Sequence, residues 1–381
     1  MHIPFCKQKC KYCDFVSFSE KEDLMEEYIE CLCQEIEEVG QGINLDVENK
    51  ICEETEISTI YIGGGTPSYI KEKYIAQIMQ TIYDNYIIEK NTEITIEINP
   101  GTVNEEKIKK YKELGINRLS IGVQSTKNKL LNMLGRIHTY EEFTNTFDLA
   151  RKAGFDNINI DFMIGLPNQT MEDIEDILTE TKKLNPEHIS IYSLILEDGT
   201  PMSKMVENKE LYIPNDDLER NMYWRIKGGL EELGYIHYEI SNFAKPGMES
   251  KHNSDCWEQK EYMGFGAAAH SYIDNARFSN IDSIEEYIKN YKEDKIENNF
   301  IFHEKQNLEA KMKEYMILGL RKITGIDCSK FENNFSKDVF EVFSKEIEKL
   351  IKEELIEIDD GYIKLSDRGI DLANIVWEEF V

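Results

Sequence analysis

The sequence predicts a parallel α/β protein followed by a smaller C-terminal module of winged-helix type. Three observations carry this expectation. Short β-rich runs alternate with longer helical patterns through the first 240 residues. The alternation recurs about every 30–40 residues, the length of a βα unit. The chain after about residue 300 abandons that rhythm.

The elements read in order. Ile57–Ile62, Glu93–Ile98, Arg118–Gly122, Asn157–Phe162 and His188–Ser193 are rich in β-branched and aromatic residues and read as strands. Between them, Glu105–Leu114 and Met171–Leu184 carry apolar residues at helical spacing. Phe340–Leu355 reads as a further helix and Asp367–Phe380 as a final one. The run IEIDDGYIKLS between them turns at Asp359-Asp360-Gly361, and Asp-Gly between alternating apolar residues is a strong hairpin signal. Helix, hairpin, helix is a winged-helix shape. Many such modules bind DNA, but this one is acidic, so a lid or docking element is the expectation. The division expected is 1–240 for the parallel α/β part, 241–297 for a connecting segment and 298–381 for the C-terminal module. Its boundary falls near Ile296–Asn299, behind the charged stretch Lys292–Lys295.

Composition narrows the function. Apolar residues make up 41% of 381, enough for a sizeable core. Lys and Arg number 44 against 73 Asp and Glu, a net charge of −29, which opposes binding to nucleic acid or anionic lipid. No apolar run approaches membrane-spanning length, and the start MHIPFCKQKC lacks the apolar region of a signal peptide. A cytoplasmic location is expected. Eight cysteines are too sparse for a disulfide scaffold, yet three fall within the first thirteen residues.

Those three, Cys6, Cys10 and Cys13, form C-x3-C-x2-C. Thiolates are the ligands that hold iron–sulfur clusters, and three of them leave one iron of a four-iron cluster open to a small molecule. A structural zinc would want a fourth ligand; His2 is the only adjacent candidate, and Asp14 is a poor one. Gly63-Gly64-Gly65-Thr66-Pro67-Ser68 follows a strand, and glycines let a backbone approach a ligand closely, although alone GGGTP is a common turn. Glu97, Gln124 and Asp161, in TIEINP, SIGVQS and NIDFMIGLP, sit at or near the carboxyl ends of successive strands. In a parallel barrel those ends gather on one reactive face. One such residue is easily a satisfied buried polar group; three beside a Gly loop and a Cys loop are not.

The cysteine spacing, continued by Tyr12-Cys13-Asp14-Phe15, resembles the radical S-adenosylmethionine superfamily. More narrowly, HIPFCKQKCKYCDF is similar to the oxygen-independent coproporphyrinogen III oxidase family and, within it, to the HemW-type heme-chaperone branch. The resemblance covers nearly the whole chain. It implies a partial (β/α)6 TIM-like barrel of radical S-adenosylmethionine type, with a [4Fe-4S] cluster on Cys6, Cys10 and Cys13 that chelates S-adenosylmethionine and can split it to a 5′-deoxyadenosyl radical. Gly64 and Glu97 match positions that contact the cluster-bound cofactor. Gly65, Thr66, Gln124, Arg136 and Asp161 match positions that contact a second S-adenosylmethionine in the oxidase, and Ile195 matches a backbone contact. Arg136 suits a carboxylate through its fork, the alternative being an exposed surface arginine.

Phe15 stands where the oxidase carries a further cysteine, and the oxidase's N-terminal extension is missing from this sequence. Gly264-Phe265-Gly266-Ala267-Ala268-Ala269-His270-Ser271 resembles a segment of the chaperone branch, with His270 where the oxidase is apolar. His252-Asn253-Ser254-Asp255-Cys256-Trp257 resembles that branch's heme-associated HNxxYW motif, with Cys256 in the tyrosine position. Imidazole and thiolate both ligate heme iron, and Trp257 would pack on the macrocycle. The plainer readings are a capped turn with a buried Trp, and a hydrogen-bonded core histidine at position 270.

Three functions follow from these features: a heme chaperone, an oxidase that decarboxylates coproporphyrinogen III, or radical chemistry on another substrate. The resemblance further implies a heme or porphyrin ligand, a flavodoxin- or ferredoxin-type reductant, heme-acceptor proteins, a homodimer, peripheral membrane contact and no nucleic acid. Cys31, Cys33, Cys52 and Cys328 read as small buried residues, and Trp224, Trp377 and the tyrosines as core. The family pattern also places a tyrosine two residues before His2 on a first barrel strand. Strands usually run about five or six residues, so the natural chain is expected to begin a few residues upstream of Met1.

Overall fold

The computed structural model describes residues 1–42 and 56–381; Cys52 lies outside the described residues. Six parallel strands come first: β1 (His2–Ile3), β2 (Glu56–Gly64), β3 (Ile87–Ile98), β4 (Arg118–Gln124), β5 (Ile158–Ile164) and β6 (His188–Ser193). An antiparallel hairpin, β7 (Ile236–Glu239) and β8 (Asn242–Ala244), extends the same sheet through β6, giving the order β1-β2-β3-β4-β5-β6-β8-β7. Each strand predicted from sequence is found, several of them longer than expected. β1 pairs with β2 only at His2–Gly63 and Ile3–Gly64, so the remainder of that edge of β2 is open among the described residues.

The strands obey a strict alternation. Ile60, Ile62, Ile94, Ile96, Leu119, Ile121, Ile158, Ile160, Ile189 and Ile191 are buried in the main core. The intervening residues Tyr61, Glu97, Ser120, Asn159, Asp161 and Ser190 bond to one another across neighbouring strands instead. Period-two side-chain direction therefore builds two separate environments, an apolar layer outside and a polar barrel interior.

The outer layer is closed by α1 (Met25–Gly40), α2 (Glu72–Asn85), α3 (Glu105–Glu113), α4 (Asn128–Leu134), α5 (Tyr140–Lys152), α6 (Met171–Leu184), α7 (Pro201–Glu207) and α8 (Asp216–Glu232). Their starts are written in the sequence. Thr139 with Glu142, and Thr170 with Asp173, form reciprocal capping boxes that open α5 and α6. After the hairpin come α9 (Lys251–Trp257), the antiparallel strands β9 (His270–Ile273) and β10 (Ala276–Asn280), then α10 (Ile284–Lys292) and β11 (Phe300–Lys305). β10 lies between β9 and β11.

Glu35 ties this segment to the barrel. Its fully buried carboxylate accepts from the Gly266 N–H at 2.7 Å, Asn280 Nδ2 at 2.6 Å and Tyr287 Oη at 2.5 Å. Burial pushes its pKa up to about 7, against the pull of those three donors.

The C-terminal module comprises α11 (Leu308–Gly319), β12 (Ile326–Asp327), α12 (Cys328–Phe335), α13 (Val339–Val342), α14 (Ser344–Lys352), β13 (Ile356–Asp359), β14 (Tyr362–Leu365), α15 (Asp367–Asp371) and α16 (Ala373–Glu378). It has its own core, from Met312 to Phe380. The hairpin turns where the sequence places it. The two helices expected around it are each broken. Phe343 leaves helical geometry (φ −116°, ψ 33°) to bury its ring against Phe331 and Phe380. Leu372 breaks the last helix (φ −121°, ψ 29°), where Gly369 is pressed onto the Leu355 carbonyl so closely that a Cβ would lie 1.8 Å away. Packing overrides helix propensity at both breaks.

Backbone hydrogen bonds from Ile240 N–H to the Arg321 carbonyl and from Ile323 N–H to the Tyr238 carbonyl, both 3.1 Å, join the module to β7. The two tryptophans expected in the core are half-buried and also serve this junction: Trp377, packed against the module's core, covers the Arg321 guanidinium at 4.8 Å, and Trp224 Nε1 donates to Asp371 at 2.7 Å. Cys31 and Cys33 are buried as expected, while Cys328 is half-buried. Among the described residues no helix is long and apolar enough to cross a membrane.

The buried Glu35 sets a pH dependence. A carboxyl whose folded pKa is raised contributes its full stability below the unfolded value of 4.5 and loses it as pH rises through about 7. Relative to Glu35→Gln, the protein should therefore lose about 3 kcal/mol between pH 4 and pH 8. Urea midpoints of the two proteins compared at both pH values measure this, and a constant difference would refute it.

Candidate cluster and cofactor site

The cysteine loop is seated by backbone contacts. Cys6 N–H donates to the Phe18 carbonyl at 2.9 Å, Lys11 N–H to the Leu134 carbonyl at 3.0 Å, and Met202 N–H to the Lys11 carbonyl at 2.9 Å. The end of β2 presses against it, and the glycines there are required by space. A Cβ on Gly65 would lie 3.0 Å from Cys6 Sγ and 3.1 Å from two backbone carbonyls. Gly64 has φ +117°, and a Cβ there would sit 2.2 Å from the His2 ring.

The donor set around the thiols fits an iron–sulfur cluster. Thr66 Oγ1 donates to Cys6 Sγ at 3.4 Å and Arg136 Nη1 to Cys10 Sγ at 3.6 Å, polar partners of the kind that stabilise thiolate sulfur. Burial pushes the Cys6 and Cys13 thiols up, so deprotonation awaits a metal charge. Among the described residues no three His, Cys, Asp or Glu side chains, the three cysteines included, converge on a single ion.

Beside the loop, Glu97 near the end of β3 accepts from Tyr61 Oη at 2.8 Å and from the Gly64 N–H at 3.1 Å. Burial pushes its pKa up to about 7, and the nearby Asp161 adds to this against the two hydrogen bonds. Gln124 ends β4 with φ +68°. A Cβ placed on Gly122 would meet Gln124 Nε2 at 2.9 Å, Arg136 Nη2 at 3.3 Å and Asp161 Oδ2 at 3.9 Å, so these three gather over a glycine on β4. Asp161 lies mid-strand, one layer deeper than a strand end, and accepts from Asn159 Nδ2 at 2.7 Å and Ser120 Oγ at 3.3 Å. Arg136 is half-buried. Nη2 donates to Asn99 Oδ1 at 3.0 Å and to the Gly122 carbonyl at 2.6 Å, so with Nη1 on Cys10 it braces the cysteine loop to β3 and β4. The exposed-arginine alternative does not hold.

The heme-motif residues divide. A cavity of about 800 Å³ runs along the open edge of β2, and both His252 and His270 line it, with Phe15, Tyr61, Tyr262 and Phe265. His252 Nδ1 is 2.9 Å from Thr59 Oγ1, its ring stacks on Tyr61 at 5.0 Å, and burial lowers its pKa to about 4. The imidazole is thus neutral. Its backbone N–H and that of Lys251 donate to the Glu93 carboxylate at 3.1 and 3.0 Å. His270 is exposed at the start of β9, stacked with His303 at 5.8 Å, and is no core histidine. Cys256 lies one turn beyond His252 on α9, its thiol pushed up to about 11 by burial and Asp255, and it does not line the cavity. Trp257 is half-buried and faces the C-terminal module, its ring 4.4 Å from the Arg321 guanidinium.

Sequence reasoning passed over Tyr61, Glu93, Asn99 and His138. His138 Nδ1 is 3.1 Å from Asn99 Oδ1, and burial lowers its pKa to about 3. Asn99 stood within the TIEINP motif, and Tyr61 shares a strand face with Gly63; alternation alone would have found it.

Comparison with known proteins places the chain in a family. The radical SAM superfamily matches residues 1–180, and the HemN C-terminal domain matches residues 306–372. The chain is similar to the heme chaperone HemW of Lactococcus lactis subsp. lactis (strain IL1403), with 36% identity over 380 residues covering 100% of this chain and 96% of that protein. It is likewise similar to the heme chaperone HemW of Bacillus subtilis (strain 168), with 35% identity over 386 residues covering 100% and 98%. Among solved structures, coproporphyrinogen III oxidase (HemN) from Escherichia coli, a radical SAM enzyme, superposes with a TM-score of 0.84 at 22% identity, covering 100% of this chain and 88% of that one, which shows a shared fold. Radical SAM membership implies a [4Fe-4S] cluster and S-adenosylmethionine. On this evidence the chain belongs to the HemW family within the radical SAM superfamily.

Proposed function

We propose that the chain is a heme chaperone that carries a [4Fe-4S] cluster on Cys6, Cys10 and Cys13, binds S-adenosylmethionine across Gly64 and Glu97, and holds heme through His252 for delivery to acceptor proteins. The observation that carries this reading is the state of His252. Its ring is neutral, fixed by Thr59 at Nδ1 and placed on the wall of a cavity, which leaves Nε2 to act as a ligand. The similarity to heme chaperones along the whole chain supports it.

The chain's own residues orient and shield. Glu97 offers a carboxylate to the ammonium of the cofactor, and the lack of side chains at Gly63, Gly64 and Gly65 brings that carboxylate and the backbone close to the cysteine loop. When bound, the cluster supplies an open iron and an electron to the sulfonium. Gly65, Thr66, Gln124, Arg136 and Asp161 form the group assigned to a second S-adenosylmethionine, with Arg136 holding Cys10 in place. His270 lines the same cavity as His252 and is the second candidate heme contact, ahead of Cys256 and Trp257. The reading includes a flavodoxin- or ferredoxin-type reductant, a homodimer, and a cytoplasmic location with peripheral membrane contact.

The oxidase reading shares the fold, but Phe15, 66% exposed beside the third cysteine, occupies the position of the oxidase's additional cysteine. Given S-adenosylmethionine and coproporphyrinogen III, the reduced, cluster-replete protein should form no protoporphyrinogen IX over multiple turnovers; sustained turnover would make it the oxidase. Replacing Cys6, Cys10 or Cys13 by Ala should each reduce cluster iron per chain to background, measured after anaerobic reconstitution. In hemin titrations, His252→Ala should weaken binding by about tenfold or more, the scale typical of disturbed metal ligation. Cys256→Ala should change it little, and unchanged binding in both variants would remove the site assignment.

A further inference from the structure

The helix that carries His252 is wired to the cofactor site by two chains of contacts through the polar barrel interior. The first is short. Thr59 Oγ1 meets His252 Nδ1 at 2.9 Å, the His252 ring stacks on Tyr61 at 5.0 Å with 25° between planes, and Tyr61 Oη donates to Glu97 Oε1 at 2.8 Å. The other oxygen of Glu97 takes the Gly64 N–H at 3.1 Å. The second begins at Ser250, which caps α9. Its N–H donates to Tyr238 Oη at 3.3 Å, Tyr238 Oη donates to His188 Nε2 at 2.7 Å, and His188 Nδ1–H donates to Asn159 Oδ1 at 2.7 Å. Asn159 Nδ2 then donates to Asp161 Oδ1 at 2.7 Å.

Tyr61 is the tightest link. A Cβ on Gly63 would lie 2.8 Å from Tyr61 Cε1 and 3.1 Å from Glu97 Cδ, so ring and carboxylate are held together with no space for a side chain between strand and pair. A displacement of the His252 ring therefore reaches the Glu97 carboxylate through one rigid aromatic body.

We propose that Tyr61 is a positioning residue that couples occupancy of His252 by heme to S-adenosylmethionine binding at Gly64 and Glu97, so that each ligand alters the affinity for the other. This rests on the heme reading given above and adds to it a regulatory connection between the two sites. Linkage requires the effect to be reciprocal: the factor by which hemin changes cofactor affinity equals the factor by which the cofactor changes hemin affinity.

The test uses cluster-loaded protein and S-adenosylmethionine dissociation constants from equilibrium dialysis, with and without hemin. In the wild type hemin should shift the constant by about fivefold or more, with the same factor in the reverse titration. Tyr61→Phe keeps the ring against His252 and removes only the bond to Glu97. It should bind hemin with an unchanged Soret band while the factor falls to near one. Tyr61→Leu, which also removes the stack, should shift the Soret band as well. If Tyr61→Phe fails to load its cluster, Tyr61→Leu reads the same link, since it removes both the stack and the bond to Glu97; a factor near one is expected, and the wild-type factor would overturn the coupling. A wild-type factor of one with hemin bound, or an undiminished factor in Tyr61→Phe, overturns the coupling and leaves the chaperone reading standing. A wild type that binds no hemin overturns both.

Discussion

The close approach of β2 to the cysteine loop is the constraint on which the rest of this molecule depends. Three consecutive glycines let the strand end touch Cys6, His2 and the Glu97 carboxylate at once. Any Cβ at Gly64 would meet a ring at 2.2 Å, and at Gly65 it would crowd Cys6 Sγ and two carbonyls. Because the loop is docked there, Arg136 can reach Cys10 from the end of α4 while still bonded to β3 and β4, and Thr66 can reach Cys6. Cys6 and Cys10 are thus braced by groups outside their own loop, the kind of support that would give a metal centre fixed geometry.

The barrel interior is the second consequence of simple geometry. Alternate residues of β2 to β6 point inward, and in this chain they are Tyr, Glu, Ser, Asn, Asp and His instead of aliphatic residues. A filled apolar barrel would add stability. Here most of the interior is a hydrogen-bonded lining, although Thr95 Oγ1 and Arg118 Nε are buried without hydrogen-bond partners. The apolar contribution is carried by the other face of the same strands and by α1 to α8.

The C-terminal module contributes through its junction. Its separate core makes it a unit of its own, yet Arg321 between Trp257 and Trp377 joins it to α9, the helix that carries His252. The HNSDCW run therefore has two faces with different duties. His252 looks into the barrel toward Tyr61, while Trp257 anchors the module.

Much of this was legible in the linear chain. The strands and their order, the cysteine loop, the Gly run and the cluster of polar residues near strand ends follow from spacing and period-two patterning, because local backbone geometry dictates both. Glu97, Gln124, Arg136 and the three cysteines were singled out by position and do gather at one end of the barrel. What tertiary structure alone decided is who touches whom across the sheet. No spacing rule places Tyr61 between His252 and Glu97, 191 and 36 residues away in sequence, sends Trp257 to Arg321, or breaks two helices at Phe343 and Leu372. Those outcomes are set by close packing between distant segments, where a ring or a carbonyl claims space that local propensity cannot reserve.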